Sequence, residues 1–408
     1  MASTLAATVE TADAVNAVVQ LDAPTTESHK LSRFYRPELD VVRLFAFAAV
    51  FLHHQLPRST TQEQSGLVLG HLAPGAKVFL AGVSNALGFG MSLFFTLSAY
   101  LIGTLLLREK ERYGTINLRA FYVRRILRIW PLYFFGLIIG CLVAIFVQKR
   151  PQDLVLLAAF ALMVGNWVSM AWHMSDPANP MMPLWSISVE EQFYLFYPIT
   201  VKHLSRRGLY LFSCSLIALS DLTLYVLGQM HVNVDRIVWC NSVVQFQMFG
   251  AGLLLCMGLQ NRKISIPVWG RFISLAGGFL CWLIACLVFG AKQVDAATSG
   301  ANLVAGYTVA AAGCVLIISA TLDTDQRLLP NWMIWLGRVS FGLYVYHKLV
   351  IESVAGMFVR THGYVHFLLS FITGATLTVA LAALSYRFLE APFLRLKERF
   401  EIVPSRPA

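Results

Sequence analysis

Eleven long apolar stretches divide this chain of 408 residues, at about 39–57, 84–107, 130–148, 152–172, 185–201, 208–228, 237–259, 270–290, 301–320, 332–358 and 364–388. A helix needs about 20 residues to cross a bilayer. In lipid only helices and closed barrels satisfy their own backbone. Stretches of this length therefore leave one broad answer, an all-α polytopic membrane protein. The charge content agrees. Only 13% of residues are charged, where soluble domains carry about 25%.

Charge decides how many stretches cross. Lys30, Arg33, Arg36 and Arg43 place the N-terminal side in the cytoplasm, because basic loops stay inside. Residues 108–128, "REKERYGTINLRAFYVRRILR", are the most basic run in the chain and lie two crossings later, so they fall inside too. If 130–148 and 152–172 both crossed, "KHLSRR" (202–207), Arg262–Lys263 and the basic C-terminal end would all lie outside. If 152–172 does not cross, all three lie inside. The polar half of that stretch, "GNWVSMAWH", suits a re-entrant or outer-face element, since irregular backbone at membrane depth is tolerated where it lines a cavity. The expectation is about ten transmembrane helices with both termini cytoplasmic.

The net charge of +10 then reflects basic cytoplasmic loops, with no nucleic-acid partner expected. Residues 1–35 read as a disordered tail without a secretory signal, because no basic stretch precedes an apolar core there. Residues 36–396 read as one membrane domain and 397–408 as a short basic tail. The seven cysteines all fall in apolar segments without disulfide or metal spacing, so no metal is expected. No internal repeat suggests the architecture of a secondary transporter.

Ionisable groups inside spanning segments are costly and mark candidate sites. On the first stretch, Arg43 and His54 are eleven residues apart, about three helical turns and about 16 Å. They share a face, whereas His53 points about 100° away. Imidazole suits general-base work on a hydroxyl, although a histidine pair also suits a hydrated helix end. Arg125 and Arg128 lie three apart at the start of the third helix. They suit phosphate groups and equally suit membrane anchoring, with Arg124 as a spare for the latter. In "WSISVEEQFYLFYP" (185–198), Ser188 and Glu191 form a capping-box pattern. Glu190 is not needed for that box and shares a face with Ser186, Tyr194 and Tyr197, the kind of polar, aromatic face that lines a sugar or proton cavity. His347 stands near mid-membrane with no partner close in sequence.

These motifs, in this order, resemble acyltransferase family 3, membrane proteins that acylate hydroxyls of cell-surface sugars and some secondary metabolites. The resemblance runs from about Arg36 to Leu396. It is carried by "WSISVEEQFYLFYP", "SFGLYVYH" and "FLEAPF", by the Arg-x10-His motif at Arg43 and His54, and by the Arg-x-x-Arg motif at Arg125 and Arg128. Two glycine-bearing motifs of the family are altered here, at Leu39–Leu44 and at Phe94–Tyr100, which bears on substrate preference. Some relatives carry a hydrolase-like C-terminal domain, and this sequence ends before one begins.

The resemblance implies a multi-pass enzyme of the cell membrane. Acyl-CoA, most simply acetyl-CoA, would be its cytoplasmic co-substrate, with no permanently bound cofactor. The acceptor would be a glycan or glycosylated small molecule approaching near "HMSDPANPMMP". Arg125 and Arg128 would meet the CoA phosphates. His54 would act as base or as transient acyl carrier. Arg43 and Glu190 would orient groups or steady charge, with Ser186, Ser188, Tyr194 and His347 in support. The alternative is a transporter or flippase for a lipid-linked sugar, which needs no thioester chemistry.

Overall fold

The computed structural model describes residues 35–59, 72–149, 154–171, 179–260, 262, 264–292, 298–358 and 363–403. The expected tail at 1–35, save Tyr35, and residues 173–178 of the outer loop at 173–183 lie outside these residues. Among the described residues every regular element is helical. Six helical stretches are long and apolar enough to cross a membrane: Pro74–Tyr113, Leu118–Val147, Arg206–Gln229, Val268–Leu287, Gly300–Thr321 and Tyr364–Glu398. Several of them turn large apolar side chains outward, among them Leu211, Leu222, Phe272, Ile273 and Leu280. Such contiguous apolar exposure suits lipid and not water. The chain is a multi-pass membrane protein.

Four of the ten expected crossings are not among the six, and each has a local reason. Helix α1 (Pro37–Gln55) carries Glu38, Asp40, Arg43, His53 and His54. Next come α2 (Pro74–Leu87), α3 (Gly90–Tyr113) and α4 (Leu118–Leu142). The expected stretch 84–107 therefore spans a break at Gly88–Phe89. Two short helices follow, α5 (Leu154–Ala161) and α6 (Gly165–Ala171), then α7 (Trp185–His203), α8 (Arg206–Gln229) and α9 (Ser242–Gly258). Helix α7 carries the two glutamates, and α9 has only 17 residues. The remaining helices are α10 (Val268–Leu287), α11 (Gly300–Thr321), α12 (Asn331–Arg338), α13 (Ser340–Met357), α14 (Gly363–Ser385) and α15 (Ala391–Glu398). The expected 332–358 helix is thus broken at Val339, and its second half holds His347, Lys348 and Glu352. Of the four helices outside the apolar set, α1, α7 and α13 carry ionisable residues, and among the six α8 carries Asp221, which accepts from Gln247 Nε2 at 2.6 Å.

Residues 152–172 do not form one spanning helix. The chain breaks after α5, where Met163 takes a positive φ of 58°, and α6 has only seven residues. The break is held by buried polar contacts. Gln192 Nε2 donates to the Met163 carbonyl at 2.8 Å and to Asn166 Oδ1 at 3.0 Å. Asn166 Nδ2 donates to Ser242 Oγ at 2.9 Å. These bonds satisfy polar groups that a broken helix leaves open in an apolar environment.

At the centre, Phe193 of α7 stacks on Phe249 of α9 at 4.1 Å, and Phe249 stacks on Phe95 of α3 at 5.0 Å. This aromatic column locks three helices together. Helix α12 meets α1 through Gly337, where an added Cβ would collide with the Asp40 backbone. That close approach positions the polar end of α1.

Candidate functional site

Two cavities meet inside the helices. The first, about 180 Å³, is lined by residues of α1, α3, α4, α7, α13 and the C-terminal segment. The second, about 130 Å³, is lined by α1, α13, the break between α2 and α3, and the segments around Asp235 and Lys292. Met91 and Tyr344 line both and form the wall between them.

The first cavity is basic. Arg36, Arg43, Arg124, Arg125, Arg128 and Lys397 line it, with Glu109 and Glu190 as the acidic members. Arg43 pairs with Asp40 one turn before it, and Asp40 is fully buried. Asp40 also accepts from Tyr35 at 3.0 Å, and Tyr35 accepts from Arg338 at 3.0 Å. Arg43 is therefore held by a hydrogen-bonded chain and not by a lone ion pair. Arg125 stands over the rings of Phe121 and Tyr194, 5.7 and 5.6 Å from their centroids, a cation–π arrangement that fixes the guanidinium plane. Arg124, expected to be a mere spare, also lines the cavity. It pairs with Glu109 at 3.5 Å and donates to the Phe400 carbonyl at 2.8 Å, so it ties the C-terminal segment to α4.

Glu190 faces this cavity as expected, with Ser186 and Tyr194. Ser98 Oγ donates to Glu190 Oε1 at 2.5 Å and lies 2.5 Å from Tyr194 Oη, which also bonds Glu190. Ser98 belongs to the altered motif on α3, so that motif contributes directly to the cavity. Ser186 lies 2.7 Å from Tyr344 Oη, which links the glutamate face to the dividing wall. Tyr197, expected on the same face, packs against Phe193 at 4.9 Å and is buried in the aromatic column.

The capping box is not formed. The short 3-10 turn Met182–Leu184 runs straight into α7, so the helix begins at Trp185 and its N-cap is Leu184, without a side-chain cap. Ser188 sits inside the helix, and its Oγ makes no hydrogen bond. Glu191 instead accepts from Trp130 Nε1 at 3.2 Å, which fastens α7 to α4. Its role is structural, but by a different contact from the one the spacing suggested.

His53 and His54 both line the second cavity, with their rings 5.2 Å apart. His53 is buried and donates Nδ1–H to the Ser84 carbonyl at 2.7 Å, which fixes it to α2. His54 is half-buried and its ring lies 5.2 Å from that of His347. His347 is fully buried and donates Nδ1–H to the Tyr344 carbonyl at 2.5 Å, and its Nε2 has no hydrogen-bond partner. The two imidazoles form a pair beside Tyr344, 5.4 Å from the ring of His347. One expectation needs correction. Arg43 and His54 do not line one cavity: Arg43 lines the first and His54 the second. Eleven residues carry them about 16 Å apart along the helix, and the Met91–Tyr344 wall falls between them.

Sequence spacing did not single out Asp40, Ser98 or Tyr344 as site residues, nor Lys292, Asp235 and Trp239 of the second cavity. The i, i+3 spacing of Asp40 and Arg43 was a readable signal. The others join the site only through contacts between distant helices.

With this geometry in hand, comparison with known proteins is informative. The family model described as "Acyltransferase domain", that of acyltransferase family 3, matches residues 36–387. A Staphylococcus aureus (strain COL) protein named "Putative O-acetyltransferase SACOL0978" is 27% identical over 371 residues, covering 84% of this chain and 57% of the relative. The O-acetyltransferase OatA of S. aureus (strain NCTC 8325 / PS 47) is 24% identical over 375 residues, covering 88% of this chain and 57% of OatA. This chain thus spans little more than half the length of the curated relatives it matches. No solved structure matches it. The match over residues 36–387 includes the paired arginines, the glutamate face and both cavity histidines, and the chain belongs to acyltransferase family 3.

Proposed function

We propose that this protein transfers an acyl group, acetyl in the simplest case, from cytoplasmic acyl-CoA to a hydroxyl of a sugar, surface glycan or glycosylated small molecule. The observation that carries this reading is a pair of cavities that share the Met91–Tyr344 wall, with His54 lining the second and paired with His347. One cavity is rich in arginine, and His53 and His54 border the other. A donor with phosphates suits the arginine-rich side, because guanidinium groups bind phosphate with charge-assisted hydrogen bonds. Residues 108–128 and 391–403 frame that side, so the positive-inside rule makes it cytoplasmic. Ten crossings, with both ends of the chain in the cytoplasm of a cell membrane, follow if α1, α7, α9 and α13 cross along with the six apolar stretches.

In this reading the CoA phosphates meet Arg125 and Arg128, and the thioester reaches the wall at Tyr344. The acceptor hydroxyl oxygen bonds to the thioester carbonyl carbon as the carbon–sulfur bond breaks. His54 takes the hydroxyl proton and returns it to the departing thiolate, or first carries the acyl group on its imidazole. His347 supports His54 through a ring nitrogen left without a hydrogen-bond partner. Glu190, held by Ser98 and Tyr194, and Arg43, held by Asp40, steady charge on the donor side.

The test is purified protein in lipid nanodiscs with labelled acetyl-CoA and a panel of sugar acceptors. Transfer or hydrolysis of the label supports the reading. An intact label beside a folded, inserted protein overturns it and moves the flippase alternative ahead, which movement of a fluorescent lipid-linked sugar in proteoliposomes would then measure. Rapid acid quench separates the two chemical routes, because only the relay leaves label on the protein.

A further inference from the structure

The second cavity holds more than the histidine pair. Among the described residues, Arg58, Arg236, Lys292 and Lys348 line it against one acidic lining residue, Asp235. Lys348 pairs with Glu352 one turn on, outside the lining. Arg58 and Lys292 share Asp235, at 3.4 and 3.9 Å. Lys292 is the unusual member. It is 1% exposed, and its Nζ has no hydrogen-bond partner. The nitrogen stands 3.3 Å from the ring centroid of Trp239, and Trp185 lies 5.9 Å from that ring and also lines the cavity.

A buried ammonium without hydrogen bonds is costly, and such groups are normally paired. The chain places it deliberately close to the histidines. Gly88, at the break between α2 and α3, leaves room for it: a Cβ there would lie 2.8 Å from Lys292 Cε and 3.2 Å from His53 Cε1. Lys292 follows α10 in a turn outside the membrane-spanning segments. Burial pushes its pKa down to about 8, with Asp235 opposing the shift, so it is charged at neutral pH. Among the described lining residues, one carboxylate shared by two cations leaves net positive charge facing the space that His54 borders. Aromatic walls beside a few convergent polar groups are the usual make-up of a small-molecule site.

We infer that the second cavity is the acceptor site and that the acceptor carries an anionic group, a carboxylate or a phosphate, which Lys292 and Arg58 hold while a hydroxyl of the same molecule reaches His54. This inference rests on the acyl-transfer reading for the hydroxyl, but not for the anion. A uronic acid and a sugar phosphate share the required chemistry, so the experiment separates them.

Three small probes serve with the full chain in nanodiscs: methyl glucuronide, glucose 1-phosphate and the neutral methyl glucoside. Equilibrium binding of each labelled sugar needs no acetyl-CoA and is measured first. At least one anionic sugar should bind about tenfold more tightly than methyl glucoside, the effect of one hydrogen bond to a charged group. The one that does so identifies the source of the charge. In Lys292→Gln, which keeps a polar chain of similar length, that preference should fall to near parity, while Lys292→Arg should restore part of it. Acetyl transfer to the same sugars is then read as a ratio, with KM for the anionic acceptor rising and KM for the neutral one unchanged. Equal binding of all three sugars by the wild-type protein overturns the inference whether or not Lys292→Gln folds, and so does a preference that survives Lys292→Gln unaltered. Selective anion binding without any acetyl transfer overturns the acyl-transfer reading and leaves the anion site standing.

Discussion

At the scale of residues, neighbouring side chains of the same type have been given different work. His53 donates to the Ser84 carbonyl and is buried, whereas His54 is half-buried and pairs with the ring of His347. His54→Ala should therefore abolish acetyl transfer, a loss of about 10²–10⁴-fold for a general base and more for a covalent carrier. His53→Ala should retain transfer while losing roughly 1 kcal/mol of stability from the broken hydrogen bond. The measurement is single-turnover transfer normalised to the amount of folded protein in the membrane. A dead His53→Ala beside an active His54→Ala would reverse the assignment. The glutamates divide in the same way. Glu190→Gln should lower turnover with little loss of folded protein, because Ser98 and Tyr194 can still bond the amide. Glu191→Ala should lower thermal stability through Trp130 and spare the kinetics. Equal kinetic losses in both would argue against this division.

At the scale of elements, the start of α4 and the contact between α1 and α12 shape the basic cavity. Arg125 and Arg128 line the basic cavity, and Arg124 is engaged with Glu109 and Phe400. Arg128→Ala should weaken acetyl-CoA binding by about 1.5–3 kcal/mol, the scale of a hydrogen bond to a charged group. Arg124→Ala should instead release the C-terminal segment, seen as faster proteolysis after α15. Isothermal titration with acetyl-CoA distinguishes the two, and unchanged affinity in a folded Arg128→Ala would return that residue to simple membrane anchoring. Gly337 lets α12 lie against the Asp40 backbone. Gly337→Ala should cost about 1–3 kcal/mol by overpacking and should also disturb Arg43, because Asp40 holds it. A melting temperature equal to wild type would refute this view of the contact.

At the scale of the whole molecule, topology follows from charge and from the broken segment 154–171. With the exposed Cys214 replaced, a cysteine introduced at exposed Arg207 should react with an impermeant maleimide only after lysis, and one at exposed Met230 should react in intact cells. Labelling of position 207 from outside would mean that α5 and α6 together return the chain across the membrane. Much of this architecture was legible in the sequence, for definite physical reasons. Apolar length sets the helices because lipid cannot satisfy a backbone. Helical periodicity sorted Glu190 from Glu191, because a helix turns 100° per residue whatever it packs against, but it did not part His53 from His54, which line the same cavity. The capping box failed where periodicity alone could not help: an adjoining 3-10 turn moved the N-cap of α7 four residues back, from Ser188 to Leu184, so Ser188 fell inside the helix. The division of Arg43 and His54 between two cavities was equally hidden, since a shared helix face carries no information about a wall supplied by α3 and α13. The sequence by itself determined the helices, their apolar faces and the polar residues placed on them, because these depend on neighbours within a turn or two. Only the tertiary structure decided which of those residues meet, bringing His347 beside His54, Ser98 beside Glu190 and Lys292 beside His53, because these contacts join helices far apart in the chain and depend on how the side chains between them pack.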